Sequence, residues 1–459
     1  MKILLVTPMA KYTPTRWIPT GLGYISSVLK KNNHTVKLYD RFLKAHILGS
    51  MDKVNLDMKS GILSFNPDII GFSTVTPLIY DTLECVKNIR RFYKGILIAG
   101  GHHATAMPEY TLKKIPGLDY VATGEGEYTM LSLANGKDPV KIPGLFSKEH
   151  GSPSIQFAQV KDLDELPQPD YRIFNMDYYT HANSYTIKGF YLKVVSVLSS
   201  RGCINNCKFC TESLTYGECL RFHSIDYVME NIERLIADYK INGIYFTDNN
   251  FLASYTHAES VCREIISRKL HKKIKWAIQA STTSVNREVL DLLASAGCVK
   301  IEFGMESIND SILKSMSKNT TTDLNEKVLF LCKKSGIKAH SYFITDFEGE
   351  EISDLNNTLE WINKFKPHTF SLNQLSLYPG TSLYETYGNK FFEEREWTKS
   401  NVENYFKESK LNIINMEERN LWHEKTFKPF YRKYFRKALL KSNSPITIIK
   451  IAYKKFLKI

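Results

Sequence analysis

The sequence predicts an α/β protein in three successive parts: an N-terminal doubly wound parallel sheet, a six-repeat partial (β/α) barrel and a C-terminal helical tail. Three observations predict it. Short apolar runs alternate with amphipathic stretches over about the first 135 residues, and the same alternation restarts near Tyr191 and repeats six times. The last stretch, from Phe427, changes composition: it carries ten Lys and Arg and no Asp or Glu. The boundaries read as 1–143 for the first sheet, 144–189 for a joint, 190–385 for the barrel and 386–459 for the tail.

In the first part, Lys2-Ile3-Leu4-Leu5-Val6 is an apolar run that stops at Thr7-Pro8, as a strand does at a loop. Gly21 to Leu29 reads as a helix, and His34 to Tyr39 as a second strand. Strands follow at Asp68 to Ser73, Gly95 to Ala99 and Asp119 to Ala122, with a helix from Leu83 to Phe92 between the first two. Strand and helix taking turns implies a parallel sheet covered on both faces, which binds ligands at the carboxyl ends of its strands. The unusual residues fall at those ends: Ser73-Thr74-Val75-Thr76-Pro77, Gly100-Gly101-His102-His103-Ala104-Thr105 and Thr123-Gly124-Glu125-Gly126-Glu127. Each glycine pair alone is a tight turn, and each histidine alone a solvated loop residue. Three such loops at one sheet edge predict a large ligand approached closely by backbone.

The joint holds Asp162-Leu163-Asp164-Glu165-Leu166-Pro167-Gln168-Pro169-Asp170, whose prolines and acids interrupt periodicity as a linker does. The apolar run Leu192 to Leu198 then leads into Ser199-Ser200-Arg201-Gly202-Cys203-Ile204-Asn205-Asn206-Cys207-Lys208-Phe209-Cys210. Three thiols in eight positions behind a strand can surround one metal or iron-sulfur cluster. A zinc knuckle with Cys219 as fourth ligand, or three core thiols, are the plainer readings. Cys85, Cys262, Cys298 and Cys332 are scattered in apolar surroundings and read as core thiols. Strands at Gly243 to Thr247, Ile274 to Ile278, Val299 to Phe303, Ile337 to Ile344 and Thr369 to Leu377 alternate with helices and complete the barrel, whose active site belongs at the strands' carboxyl ends.

Composition narrows the function classes. Hydrophobic residues at 43% and charged residues at 24% describe a soluble globular chain, and no apolar run approaches the roughly 20 residues needed to span a bilayer. With no signal-like start, the expected location is cytoplasmic, where thiols stay reduced. The net charge of +13 resides in the tail, since the remainder has 51 basic against 48 acidic residues. A basic body of the kind that binds nucleic acid is therefore not expected. In the tail, Phe430, Tyr434, Phe435, Leu439 and Leu440, then Ile446, Ile449, Ala452, Tyr453 and Phe456, can form an apolar face amid basic residues. That suits either a helix on an anionic membrane or a cap packed on the barrel.

The CxxxCxxC spacing, with Phe209 just before the last cysteine, resembles the signature of the radical S-adenosylmethionine (radical SAM) enzymes. The order GGxHxT then GEGE resembles the cobalamin-binding domain that precedes the barrel in one large class of that family, so the first part is cobalamin-binding-like. The resemblance implies a [4Fe-4S] cluster on Cys203, Cys207 and Cys210, with S-adenosylmethionine at the open iron. It places Ser73, Thr74, Gly100, Gly101, His103, Thr105, Gly124 and Glu125 along the corrinoid groove. No DxHxxG occurs, so no histidine is marked as a cobalt ligand. Asp248-Asn249-Asn250-Phe251 resembles the segment that holds the amino group of S-adenosylmethionine, and Gly304-Met305-Glu306-Ser307 the turn whose carboxylate binds the ribose diol. Arg221 sits where the family often has arginine, with a surface salt bridge as the alternative. Gln279 and Ser281 are candidates by strand-end position, and Tyr378-Pro379-Gly380-Thr381 matches a frequent turn. After the fifth barrel strand, Asp346 and Glu348 replace the small, rigid residues common in the family, a change that substrate binding or altered adenosyl contacts would explain, as would drift on a solvated loop, the expected reading.

By this resemblance the activity is transfer of a methyl group from methylcobalamin to an unactivated carbon of a small molecule or lipid, through a 5'-deoxyadenosyl radical. Radical cyclisation or rearrangement without methyl transfer is the alternative, and a non-catalytic corrinoid- or zinc-binding module is a second. Methylthiotransfer is disfavoured because the first part offers Cys85 alone. The partners implied are an electron donor such as flavodoxin or ferredoxin, and a membrane surface contacted by the tail.

Overall fold

The computed structural model describes all residues except 10–16, 150, 152–156, 389–390, 395–396, 398–413, 446 and 449–459. The first sheet contains β1 (Lys2–Thr7), β2 (Thr35–Asp40), β3 (Ile69–Ser73), β4 (Ile96–Gly100), β5 (Tyr120–Ala122) and β6 (Leu145–Ser147), in the order β2-β1-β3-β4-β5-β6. The first five are parallel, and β6 pairs antiparallel to β5. Alternate residues of β1 enter different cores, Ile3 and Leu5 on one face, Leu4 and Val6 on the other. A strand buried on both sides reads as a continuous apolar run, which is why the sequence shows no alternation there.

The barrel strands are β7 (Val194–Val197), β10 (Gly243–Phe246), β11 (Lys275–Ala280), β12 (Cys298–Glu306), β13 (Lys338–Thr345) and β14 (Thr369–Gln374). They form one all-parallel sheet in sequential order, open between its first and last members. A two-stranded ribbon of β8 (Ser200–Arg201) and β9 (Arg221–Phe222) brackets the cysteine loop.

Along β12, Ile301, Phe303 and Met305 join the apolar core. The alternate side chains of Lys300 and Glu302 instead meet a polar layer. Glu302 accepts from Tyr245 (3.1 Å), Tyr342 and Lys188 (3.4 Å). Lys188 also reaches His340 (3.0 Å), which bonds Thr369 (2.8 Å). Burial pushes the Lys300 ammonium down to about 7. Beside this layer, Ile187 and Phe190 pack on Val194, Tyr245 and Ala277. Hydrophobicity alone marks no such polar interior, so the sequence did not show it.

The joint is less free than its composition predicts. Its first residues supply β6, Glu125 N–H donates to Ala158 (2.8 Å), and Val160, Leu163 and Leu166 pack on Tyr24 and Val28. Asp170 accepts from Ser26 (3.0 Å) and Lys30 (2.6 Å). The prolines that end helical periodicity here lay the chain across the first sheet's helices as a packed strap.

The tail caps the barrel. Phe427, Phe430, Tyr431 and Tyr434 surround Phe370 of β14 with ring centroids 5.2 to 6.3 Å apart. The aromatic face expected to meet a membrane or the barrel thus meets the barrel at Phe430 and Tyr434. Phe435 stacks on Tyr431, Leu439 is half-buried and Leu440 is exposed. Ile446, Ile449, Ala452, Tyr453 and Phe456 lie outside the described residues.

The turn after β13 is not the solvated loop its acidity suggested. Asp346 is fully buried, with φ +68°, and pairs with Arg419 of the helix Met416–Trp422, which also donates to Thr345 (2.8 Å). A cation 73 positions further along the chain closes over the acid. Glu348 lies further out and accepts from Tyr387 (3.0 Å). Nearby, burial raises the Glu350 carboxyl to about 7. The folded state then holds a proton that the unfolded chain releases above its ordinary 4.5, so stability falls as pH rises from about 4.5 through 7. Glu350→Gln is expected to lack this term: its stability relative to wild type, from urea unfolding, should be higher at pH 8 than at pH 5 by on the order of 1 to 3 kcal/mol.

Candidate active site

Ser200-Arg201 enters the cysteine loop on β8, and Gly202 turns it with φ +99°; a Cβ there would lie 2.1 Å from the Cys219 carbonyl oxygen. Lys208 anchors the loop from both sides, its N–H donating to Met316 (3.1 Å) and its carbonyl accepting from Leu383 (3.1 Å). Cys203, Cys207 and Cys210 are half-buried on the wall of one cavity of about 510 Å³. Phe209, Asn249, Gln279, Ser281, Glu306, Lys318 and Tyr342 share that wall. Burial pushes the Cys210 thiol up to about 12 and raises Cys207, so iron binding here would release protons.

The donors fit a cluster better than an ion. Among the described residues no three His, Cys, Asp or Glu side chains converge closely enough for a single metal ion, and Cys219 is exposed, off the cavity wall. Three thiols around a space, with no fourth, suit a multi-iron cluster with one open corner.

Of the residues expected around S-adenosylmethionine, Asn249, Gln279 and Glu306 reach the cavity, and Gln279 donates to Tyr245 (3.0 Å). Asp248 does not. It is fully buried and accepts from the Ser199 N–H (3.2 Å) and hydroxyl (2.7 Å) and from the Ser200 hydroxyl, so it braces the strand end before the cysteines. Its acceptors are spent on the chain itself. Lys318, which no sequence signal marked, pairs with Glu306 (2.9 Å) and lies 6.0 Å from the Phe209 ring centre. A cation beside the open edge of the thiol trio can take a ligand carboxylate.

The second site lies at the carboxyl edge of the first sheet. Ser73, Gly100, Gly101, Gly124 and Glu125 line a cavity of about 290 Å³, with Leu5, Gly71 and Ile98 deep inside it. Gly71 forms part of this wall, where a Cβ would occupy the slot, and Gly101 has φ +107°, which favours glycine. These features fit a large ligand with a narrow extension into the sheet, as a corrinoid with a nucleotide tail has.

Three expected groove residues are placed otherwise. His103 is buried behind the wall, bonding Thr76 (3.2 Å) and packed on Phe392 and Trp397; His102 lines the cavity instead. Burial holds His103 down at about 3, hence neutral. Thr74 is fully buried against Thr82 (3.2 Å), and the Thr105 hydroxyl accepts from Gly124 N–H (3.0 Å). All three shape the loops rather than face the ligand, because each short helix or turn rotates alternate side chains inward.

Between the two cavities stands a buried charge network. Arg221 donates twice to Glu125 (2.8 and 2.9 Å), and Arg201 pairs with Glu125 (3.3 Å) and Glu127 (2.9 Å). Arg221 is therefore an inter-domain contact, not a surface salt bridge. Arg201 before Cys203 was visible in the sequence, but its partner Glu127 lies 74 positions away.

Comparison with known proteins agrees with this geometry. The family model for the B12 binding domain matches residues 7–134, and that for the radical SAM superfamily matches residues 197–362. An uncharacterized methyltransferase of Pyrococcus horikoshii is 29% identical over 412 residues, 87% of this chain and 86% of that protein. The cytidylyl-2-hydroxyethylphosphonate methyltransferase of Streptomyces wedmorensis is 26% identical, over 78% of this chain and 76% of its own. The fold matches the radical S-adenosylmethionine methyltransferase TsrM from Kitasatospora setae at TM-score 0.70 and 19% identity, covering 86% of this chain and 79% of that one. It matches the cobalamin-dependent radical enzyme OxsB at TM-score 0.66 and 20% identity, covering 92% and 61%. With a three-thiol loop at the rim of a six-stranded partial barrel and a glycine-lined slot in the sheet before it, the chain belongs to the radical SAM enzymes that carry a B12-binding domain, whose cofactors are a [4Fe-4S] cluster, S-adenosylmethionine and cobalamin.

Proposed function

We propose that this enzyme methylates an unactivated carbon of a small molecule or lipid. The observation that carries the reading is the pair of cavities at the carboxyl ends of two adjacent sheets, one walled by the three thiols and one by the glycine loops. When bound, the cluster and S-adenosylmethionine supply the radical that takes hydrogen from carbon, and cobalamin supplies the methyl group. Cys203, Cys207 and Cys210 would hold the cluster. Asn249 and Glu306 would orient the amino-acid and ribose portions of S-adenosylmethionine, with Lys318 for its carboxylate. The packed floor of Ile187 and Phe190 and the polar layer above it keep bulk water from entering through the barrel's lower end. Methyltransferases among the relatives, including the hopanoid C-3 methylase of Methylococcus capsulatus at 24% identity, support a substrate range that extends to lipids.

The test is anaerobic incubation of the full chain, reconstituted with iron, sulfide and hydroxocobalamin, with methyl-labelled S-adenosylmethionine and a flavodoxin or ferredoxin as electron donor. Soluble and lipid extracts serve as substrate sources. Formation of 5'-deoxyadenosine together with label in a product heavier by a methyl group is expected. Absence of 5'-deoxyadenosine, or a product without added carbon, overturns the reading. Lys318→Met is expected to raise the S-adenosylmethionine concentration needed for half-maximal 5'-deoxyadenosine formation by roughly tenfold or more while leaving the cluster's absorbance intact, the cost of losing a charge-assisted contact.

The tail supports a peripheral membrane contact for a protein otherwise expected in the cytoplasm. Arg432, Lys433, Arg436 and Lys437 are exposed on the helix Lys428–Ser442, whose aromatic face is occupied by the barrel, and no helix among the described residues is long and apolar enough to cross a membrane. Such a basic face binds anionic lipid by charge alone. Co-sedimentation with phosphatidylglycerol vesicles that disappears at about 0.5 M salt is expected, with none on phosphatidylcholine.

A further inference from the structure

Arg201 leaves one donor unspent. Its side chain is 3% exposed, its two terminal nitrogens pair with Glu125 and Glu127, and its guanidinium lies 4.9 Å from the Tyr24 ring centre and 5.8 Å from that of Tyr216. The Nε–H has no partner. An N–H sealed from water without an acceptor is destabilising, and such groups are rare in folded proteins. Arg201, Tyr24 and Tyr216 are also wall residues of the glycine-lined cavity, with Ser73 and Gly100. Arg221 has the same unpartnered Nε–H but is not on that wall.

We infer that Arg201 is a ligand-binding residue of the corrinoid site, its Nε–H donating to an acceptor oxygen of the bound corrinoid. This rests on the cobalamin assignment of that cavity and adds to it a residue from the barrel, two positions before the first cluster cysteine. Two arginines and two glutamates balance in the network, so the free N–H calls for an acceptor oxygen, neutral or singly charged. In a corrinoid that oxygen belongs either to a peripheral carboxamide or to the phosphodiester of the nucleotide tail. Because Arg201 is held by carboxylates of the first sheet's loop, it is fixed before the ligand arrives, and little ordering cost opposes the bond. A lysine could keep the charge but has no planar fork to hold both carboxylates and a third acceptor.

The experiment is corrinoid binding by the full chain without cluster, followed by absorbance, using hydroxocobalamin and aquocobinamide, which lacks the nucleotide tail. Arg201→Lys is expected to weaken hydroxocobalamin at least fivefold, and Arg287→Lys, at an exposed helix pair off the cavity wall, to leave it within twofold. Loss for both corrinoids assigns the acceptor to a carboxamide; loss for hydroxocobalamin alone assigns it to the phosphodiester. Equal affinities of Arg201→Lys and wild type for both probes overturn the inference and leave the cobalamin assignment standing. If wild type binds neither probe, the assignment itself fails. Should Arg201→Lys not fold, wild type labelled with [15N]arginine decides: one buried Nε–H resonance is expected to shift on adding hydroxocobalamin, and no shift overturns the proposal.

Discussion

Alanine in place of any one of Cys203, Cys207 or Cys210 is expected to remove the cluster and, with it, 5'-deoxyadenosine formation, by more than roughly a hundredfold. Even outer partners of a metal site cost about 10- to 100-fold when lost, and these three thiols are the proposed direct donors. The cavity offers no substitute, since Cys219 is exposed and off its wall. Iron and sulfide content after anaerobic reconstitution, with the visible absorbance of the cluster, checks the result. Cys219→Ala is the matched control and should retain wild-type iron; if it loses the cluster too, a four-thiol zinc-like site is the better description and the radical chemistry falls. The fold should survive all four changes, because the loop is tied down by the Lys208 backbone and by Gly202 rather than by its thiols.

Glu125→Ala is expected to cost about 3 to 5 kcal/mol of stability, the usual consequence of removing one partner from a buried ion pair. Glu125 is 4% exposed and serves Arg221 twice, Arg201 once and the Val160 N–H. Without it, Arg201 keeps only Glu127, and Arg221, whose side chain is also largely buried, keeps the Val160 and Tyr216 carbonyls but no carboxylate. The loss should appear in urea unfolding as an earlier transition. Arg287→Ala, which breaks an exposed helix pair with Asp291 at 2.7 Å, should leave the urea transition essentially where it is. Comparable effects from the two substitutions would show that the inter-domain network carries no more than a surface salt bridge. Because the same carboxylate holds the strand that leads into Cys203, the variant is also expected to bind hydroxocobalamin and cluster less well than its residual folding alone explains.

Strands such as Lys2–Thr7 and Val194–Val197 were legible because they are buried on two faces and show as continuous apolar runs. The three cavity thiols were legible for a different reason: side chains supplied by one short loop are neighbours in sequence. Cys203, Cys207 and Cys210 therefore face one cavity, and Asn249, Gln279 and Glu306 reach it as strand-end residues. Position at a strand end did not decide which side chain turns inward. Asp248 and Asn249 are adjacent, yet the first is consumed by Ser199 and Ser200 while the second lines the cavity. His102 and His103 divide in the same way.

What the sequence determined by itself is the order of the parts, the strand and helix alternation of both sheets and the chemical identity of the thiol loop, since these depend on local periodicity and on residues close in the chain. What only the tertiary structure decided is every pairing across long separations: Glu125 with Arg201 and Arg221, Asp346 with Arg419, Phe370 with the tail aromatics and Lys188 with Glu302. A charge or an aromatic ring carries no record of its distant partner, and burial alone turns an acidic loop residue such as Asp346 from a solvated side chain into one half of a sealed ion pair.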